Sequence, residues 1–283
     1  MSTPESLRLS IRHTTGYRYA KGASGSYNEA RMTPLGTGDQ TVLRSKVEVR
    51  PAPWTFEFRD YWRTEVTAFE VHEEHTSLEV VATATVETRV PSASPAGLGW
   101  DDLGEVADEH CEFLMSSPWV AAPPELVEEL EPLRAAAQTP SDFAWSVGAF
   151  LHRTVAYRPC STTVESTAAD AWAARAGVCQ DVAHLMVGAL RWAGVPARYV
   201  SGYLHPSREP EVGATVEGES HAWIEWFDGD WIGWDPANDL APDARHVVVA
   251  RGRDYSDNPP LRGIHATDGD SDLFVSVEIT RLR

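Results

Sequence analysis

The hydrophobic pattern of this chain changes period twice, and that order restricts its fold more than any single motif. From about Leu7 to Val90, apolar residues tend to fall at every second position: Leu7-Arg8-Leu9-Ser10-Ile11-Arg12-His13, then Val47-Glu48-Val49-Arg50, then Leu78-Glu79-Val80 onward to Thr88. Alternation at period two suits a half-buried strand, because successive side chains leave opposite faces of a sheet. Turn-forming clusters at 22–25, 34–38 and 51–53 divide these runs, which predicts a small sandwich-like β-domain. Pro91-Ser92-Ala93-Ser94-Pro95-Ala96-Gly97 then reads as a linker.

From about Trp100 to Ala176 the pattern turns helical. Pro123-Pro124 leads into a helix over 125–137, with proline well placed at its start. Thr139-Pro140-Ser141-Asp142 opens a second helix to about His152, and Thr167-Ala168-Ala169-Asp170 a short third one ending near Gly177. After Cys179, the residues Val182, Leu185, Met186, Ala189 and Leu190 form a stripe of helical period, stopped by Gly194-Val195-Pro196. Strands return at 197–204, 221–227, 231–234, 247–250 and 273–279. Helices followed by antiparallel strands predict an α+β class. The expected division is an amino-terminal β-domain over 1–95 and a second domain over 96–283, with its core at 140–265.

The bulk composition narrows the partners. A formal net charge of −18 argues against nucleic acid and anionic lipid, which need clustered Lys/Arg; it reads first as a solvated acidic surface and second as a preference for neutral or basic substrates. No apolar run approaches membrane-spanning length, and the first residues lack a basic-then-apolar leader pattern. Three cysteines, Cys111, Cys160 and Cys179, are too few and too odd for a disulfide framework. A cytoplasmic setting is expected.

Three residues carry the chemistry. Cys179 stands where a loop gives way to a helix, and unpaired N–H groups there, together with the helix dipole, favour a thiolate. Gly177 would let a substrate carbonyl reach both the sulfur and the Cys179 amide. His221 begins a strand, and Asp235 ends the next one, across Asp228-Gly229-Asp230. A two-residue connection would put Asp235 opposite Ala222, on the wrong face. A three-residue connection puts it opposite Trp223 and diagonal to His221, within reach of an imidazole. Singly, each residue reads as a buried thiol, a structural histidine or a turn cap; together, in the order Cys–His–Asp, they form a thiol nucleophile machine.

At these positions the chain resembles the transglutaminase-like superfamily. The matching text is Arg175-Ala176-Gly177-Val178-Cys179-Gln180-Asp181-Val182-Ala183-His184, the run 190–203, Ser220-His221-Ala222-Trp223, and 233–238. The stretches 13–19, 28–31, 245–255 and 259–263 are similar to a bacterial branch that carries its own N-terminal β-domain. The resemblance implies a papain-like core in which Cys179 is the nucleophile, His221 the base and Asp235 its orienter. Two departures stand out. Asp60-Tyr61-Trp62-Arg63-Thr64 lacks the Phe-Gly-Asn that the pattern has after Asp-Tyr, and Cys160 stands where it usually has glycine.

Tyr157 and Gln180 are candidates for the second oxyanion donor, which spacing alone does not identify. Asp181 and His184 read as capping or packing residues of the helix, and Cys111 as core. His72-Glu73-Glu74-His75 lacks the HExxH spacing, and Leu273 replaces the glycine that a calcium loop needs after Asp268. No metal and no cofactor are expected. The expected activity is acyl transfer on a peptide or protein amide through a Cys179 thioester. Water as acceptor gives a protease or amidase, and a lysine-type amine gives a transglutaminase. The alternative is a non-catalytic binding or scaffold module with an idle triad; oligomeric state is not legible.

Overall fold

The computed structural model describes residues 5–92 and 94–283; residues 1–4, and Ala93 of the expected linker, lie outside the described residues. Five strands come first: β1 (Ser6–Ala30), β2 (Gln40–Arg50), β3 (Trp54–Arg59), β4 (Glu65–Val71) and β5 (His75–Arg89). Helices α1 (Leu103–Val106), α2 (Pro124–Ala136) and α3 (Pro140–Thr154) follow. Next come the short strand β6 (Ala156–Tyr157), helix α4 (Ala168–Ala174), the short strand β7 (Ala176–Gly177) and helix α5 (Cys179–Trp192). The chain finishes with β8 (Ala197–Leu204), β9 (Thr215–Phe227), β10 (Trp231–Trp234), β11 (His246–Gly252), β12 (Leu261–Ala266) and β13 (Ser271–Arg281). Helices therefore precede antiparallel strands in the second part, as the periodicity indicates.

The amino-terminal strands bury Phe69 and Val71 of β4 against Leu78 and Val80 of β5, with Tyr19 and Ala30 of β1. They belong to one connected 11-stranded sheet, because β1 is long enough to pair twice. Its first half lies between β5 and β13, and its second half between β4 and β12. The turn expected at 22–25 is a bend inside β1, where Gly22 and Gly25 take φ of +80° and +62° and the register with β5 shifts. Strand β12 carries no clear alternation and was not expected from sequence. Strands β12 and β13 lie in the expected second domain yet pair with β1, so the end of the chain is built into the sheet of the first. Strand β9 bridges the two parts: residues 215–218 pair with β13, and residues 219–226 with β8.

Helix α5 lies at the centre of the second part. Its apolar stripe packs with Leu126 and Leu130 of α2, Phe143, Val147 and Leu151 of α3, and Ala222, Ile224 and Trp226 of β9. The helix is buried on every side rather than along the stripe alone, so its polar residues need partners. Arg191 donates to the carbonyls of Ala197, Met115 and Arg253, and His184 Nε2 accepts from the Tyr255 amide. These contacts fix the helix, and with it the position of Cys179.

Both departures from the family pattern share a backbone cause. Arg63 and Cys160 stand where glycine is expected, and they take φ of +64° and +62°. A side chain in that left-handed region crowds the following carbonyl. Arg63 closes a turn in which its amide donates to the Asp60 carbonyl and the Thr64 amide to Asp60 Oδ1. Its side chain is exposed. Arg63→Gly should therefore stabilise the fold by up to about 1 kcal/mol, strain relief outweighing the added freedom of the unfolded chain. A urea unfolding curve measures this; destabilisation would show that the Arg63 side chain contributes more than the strain costs.

Candidate active site

Cys179 is the first residue of α5, after Val178 in extended conformation. The loop leading to it is pinned by the parallel pair β6–β7, in which the Ala156 amide donates to Arg175 and the Arg158 amide to Gly177. Asp181 caps the helix start: its Oδ2 accepts from the Val178 amide at 2.7 Å and from Thr162 Oγ1 at 2.7 Å. Gly177 makes room for this cap. A Cβ at that position would stand 2.6 Å from Asp181 Cβ, so only glycine leaves room for the capping carboxylate. Burial raises the Asp181 carboxyl pKa, while the Thr162 and Val178 hydrogen bonds oppose the rise.

His221 lies in β9 and Asp235 just past β10. The connection is the three residues 228–230, since Trp231 pairs with Phe227 and Trp234 with Ile224. Continued by one residue, that register sets Asp235 opposite Trp223, the diagonal arrangement that the strand parity requires. His221 Nε2 donates to Asp235 Oδ2 at 2.7 Å. Cys179 lies close enough to the same ring to help raise its pKa, and with Nε2 bonded to Asp235 the free nitrogen is Nδ1. Both residues line one groove of about 610 Å3.

The Asp235 carboxylate is fully buried and fully occupied. Oδ1 accepts from the amides of Ala237 and Asn238 at 3.1 and 3.2 Å. Oδ2 accepts from His221, from Asn238 Nδ2 at 2.7 Å and from His246 Nε2 at 3.4 Å. Burial alone would raise its pKa, but these donors win and hold it well below the usual carboxylate range. His221 follows the same logic with opposite sign. Burial would lower its value, yet Asp235 and Cys179 push it up to about 10. Trp223 lies nearly parallel to the His221 ring, with centroids 6.2 Å apart, and presents an edge to His246 at 5.3 Å.

Tyr157 lies half-exposed on the groove wall, its pKa pushed up to about 12 by burial and by the nearby Cys179, Glu219 and Asp235. It remains a protonated donor. Gln180 also lines the groove, but its Nε2 is committed to the Val164 carbonyl at 3.2 Å. Cys160 is exposed and is not among the groove residues. Cys111, expected in the core, is exposed at the surface. Glu217 and Glu219 alternate with His221 along β9 and so face the groove with it. Sequence reasoning missed Asn238 and His246. The first had a readable signal in Asp235-Pro236-Ala237-Asn238, a turn whose opening carboxylate accepts local amides; the second depends on long-range packing and had none. His221, Asp235 and His246 bring three possible ligand atoms within 4.8 Å of one another. Three N–H groups already converge on Asp235 Oδ2, so the cluster reads as a hydrogen-bond network. Among the described residues no helix is long and apolar enough to cross a membrane.

The raised His221 value has a stability consequence. A folded pKa of about 10 against an ordinary 6.5 contributes stability that is complete below pH 6.5 and is lost as pH rises through 10. The depressed Asp235 value contributes stability above the usual carboxylate range that is lost in acid. The excess stability of wild type over Asp235→Asn should therefore be largest near pH 5–6.5 and shrink toward pH 10, as read by urea unfolding. An excess that grows with pH would contradict the charged pair.

Comparison with known proteins identifies the family. Residues 9–87 match the bacterial transglutaminase-like N-terminal region, and residues 129–236 the transglutaminase-like superfamily. An uncharacterized protein of Mycobacterium leprae is 40% identical, the alignment covering 97% of this chain and 99% of that one. An uncharacterized protein of Mycobacterium tuberculosis is 30% identical over 96% and 92%. A protein-glutamine gamma-glutamyltransferase of Pseudomonas aeruginosa is 31% identical over 48% of this chain and 22% of its own length. Among solved structures, a "putative cysteine protease" from Cytophaga hutchinsonii matches the fold with a TM-score of 0.80 at 22% identity, covering 99% of this chain and 92% of that one.

Proposed function

The chain belongs to the transglutaminase-like superfamily, and on that premise we propose that it is a cysteine-dependent enzyme acting on peptide or isopeptide amides. The observation that carries this reading is a single groove lined by both Cys179 and His221, with the His221 ring bonded to a buried carboxylate. In this reading Cys179 is the nucleophile, His221 the proton carrier and Asp235 its orienter.

The thiolate attacks the amide carbonyl carbon, and negative charge moves to the carbonyl oxygen. The Cys179 amide, at a helix start with no acceptor in its own helix, is one donor for that oxygen, and the Tyr157 hydroxyl is the candidate second. Gln180 is the weaker candidate, because its amide donor is committed to Val164. The imidazolium gives its Nδ1 proton to the leaving nitrogen as the C–N bond breaks, leaving a thioester on Cys179. Water then attacks with His221 taking its proton, the C–S bond breaks, and acid and thiolate are released. A primary amine in place of water yields a transferred amide instead.

We favour water. A second hollow, lined by Tyr157, Glu219, His221 and Asn238, adjoins the groove and gives water a place beside the imidazole. The exposed Glu217 and Glu219 favour neutral or basic peptides over acidic ones. Three free cysteines, two of them exposed, favour a reducing, cytoplasmic setting.

Incubation with a glutamine peptide and a tagged amine separates the outcomes: acid product without tag is expected, and tag incorporation would make the enzyme a transferase. Cys179→Ala should abolish either product. Iodoacetamide should alkylate the buried Cys179 at least about tenfold faster than the exposed Cys111 and Cys160, because an activated thiolate outweighs accessibility. A slower Cys179, or one reactive only in denaturant, would refute the enzyme reading and favour a scaffold.

A further inference from the structure

We propose that His246 is a positioning residue for the Cys179–His221 pair, acting through Asp235; the inference rests on the thiol-nucleophile reading above. His246 opens β11 and is buried, with 2% of its side chain exposed. Its Nδ1 accepts from the Asp243 amide at 3.0 Å, inside a turn in which the His246 amide donates back to the Asp243 carbonyl. A ring nitrogen that accepts carries no proton, so the proton of the neutral ring resides on Nε2. Nε2 faces Asp235 Oδ2 at 3.4 Å. The ring therefore presents an Nε2–H donor to that oxygen.

The ring cannot easily turn away. The Trp223 edge packs on it, and Arg245 clamps Asp243 through Nε and one terminal nitrogen. Asp235 is thus gripped from two directions: the local turn holds Oδ1 through the Ala237 and Asn238 amides and Oδ2 through Asn238 Nδ2, and His246 reaches Oδ2 from a different strand. Without that second direction only the turn opposes a tilt of the carboxylate, and the His221 imidazole is aimed less firmly at sulfur.

The test compares the full chain with His246→Gln and His246→Met. Gln keeps an N–H donor near the Nε2 position, and Met fills similar volume with none. The readouts are the iodoacetamide rate at Cys179, by mass spectrometry, and the thermal midpoint. The Met variant should alkylate about tenfold more slowly, the worth of one hydrogen bond to a charged group. The Gln variant should stay within about threefold of wild type at a similar thermal midpoint. Equal losses in both variants, or none in either, would overturn the proposal. Should the Met variant not fold, 15N NMR of the wild type decides: His246 must carry its proton on Nε2, and a ring protonated on Nδ1 alone overturns it. A fast wild-type Cys179 with indifferent variants refutes only the role of His246; a wild-type Cys179 no faster than Cys111 refutes the reading beneath it, and this one too.

Discussion

The site depends on one buried charge, the carboxylate of Asp235. Taking such a group out of water costs several kcal/mol unless its lone pairs are matched. Here five N–H groups match them: two local amides, the Asn238 side chain and two histidines. Each comes from a different requirement of the fold. The amides need the turn after β10, His221 needs the three-residue connection between β9 and β10, and His246 needs β11 to lie beside β8. The carboxylate stays ionised because all three are met, and its charge keeps the His221 imidazole protonated beside the thiol.

The sulfur is aimed from the other side by an equally constrained device. Helix α5 has no solvent-facing stripe, so its start is fixed by the whole core rather than by a surface anchor. Asp181 closes the first turn, and the missing side chain of Gly177 is the space that this cap occupies. The nucleophile and its partner therefore belong to separate layers, helix and sheet. They meet only at the groove, where Tyr157 and two glutamates complete the wall.

Much of this was legible in the sequence, for reasons that differ by element. Local periodicity gave helices α2 to α5 and strands β8 to β11, because their stripes and stops lie within one segment. The face of Asp235 followed from counting three residues across the β9–β10 connection. What sequence missed was non-local. Glycines 22 and 25 look like a turn, yet the strand runs through them because neighbours on both sides hold it. Strand β12 lacks alternation and forms by pairing with β1. His246 joins the network from a distant strand, so nothing near it in the chain announces that role. The room that Gly177 leaves for the Asp181 side chain was not legible, because the cap forms only when the loop and helix α5 fold together.

A buried carboxylate holds His221 as a cation beside Cys179. The most direct measurement is 15N NMR of the His221 ring across the pH range. Both nitrogens should carry protons at pH 8, with the transition near the value of about 10 that the surroundings impose. A ring already neutral at pH 7, with one nitrogen unprotonated, would contradict the account.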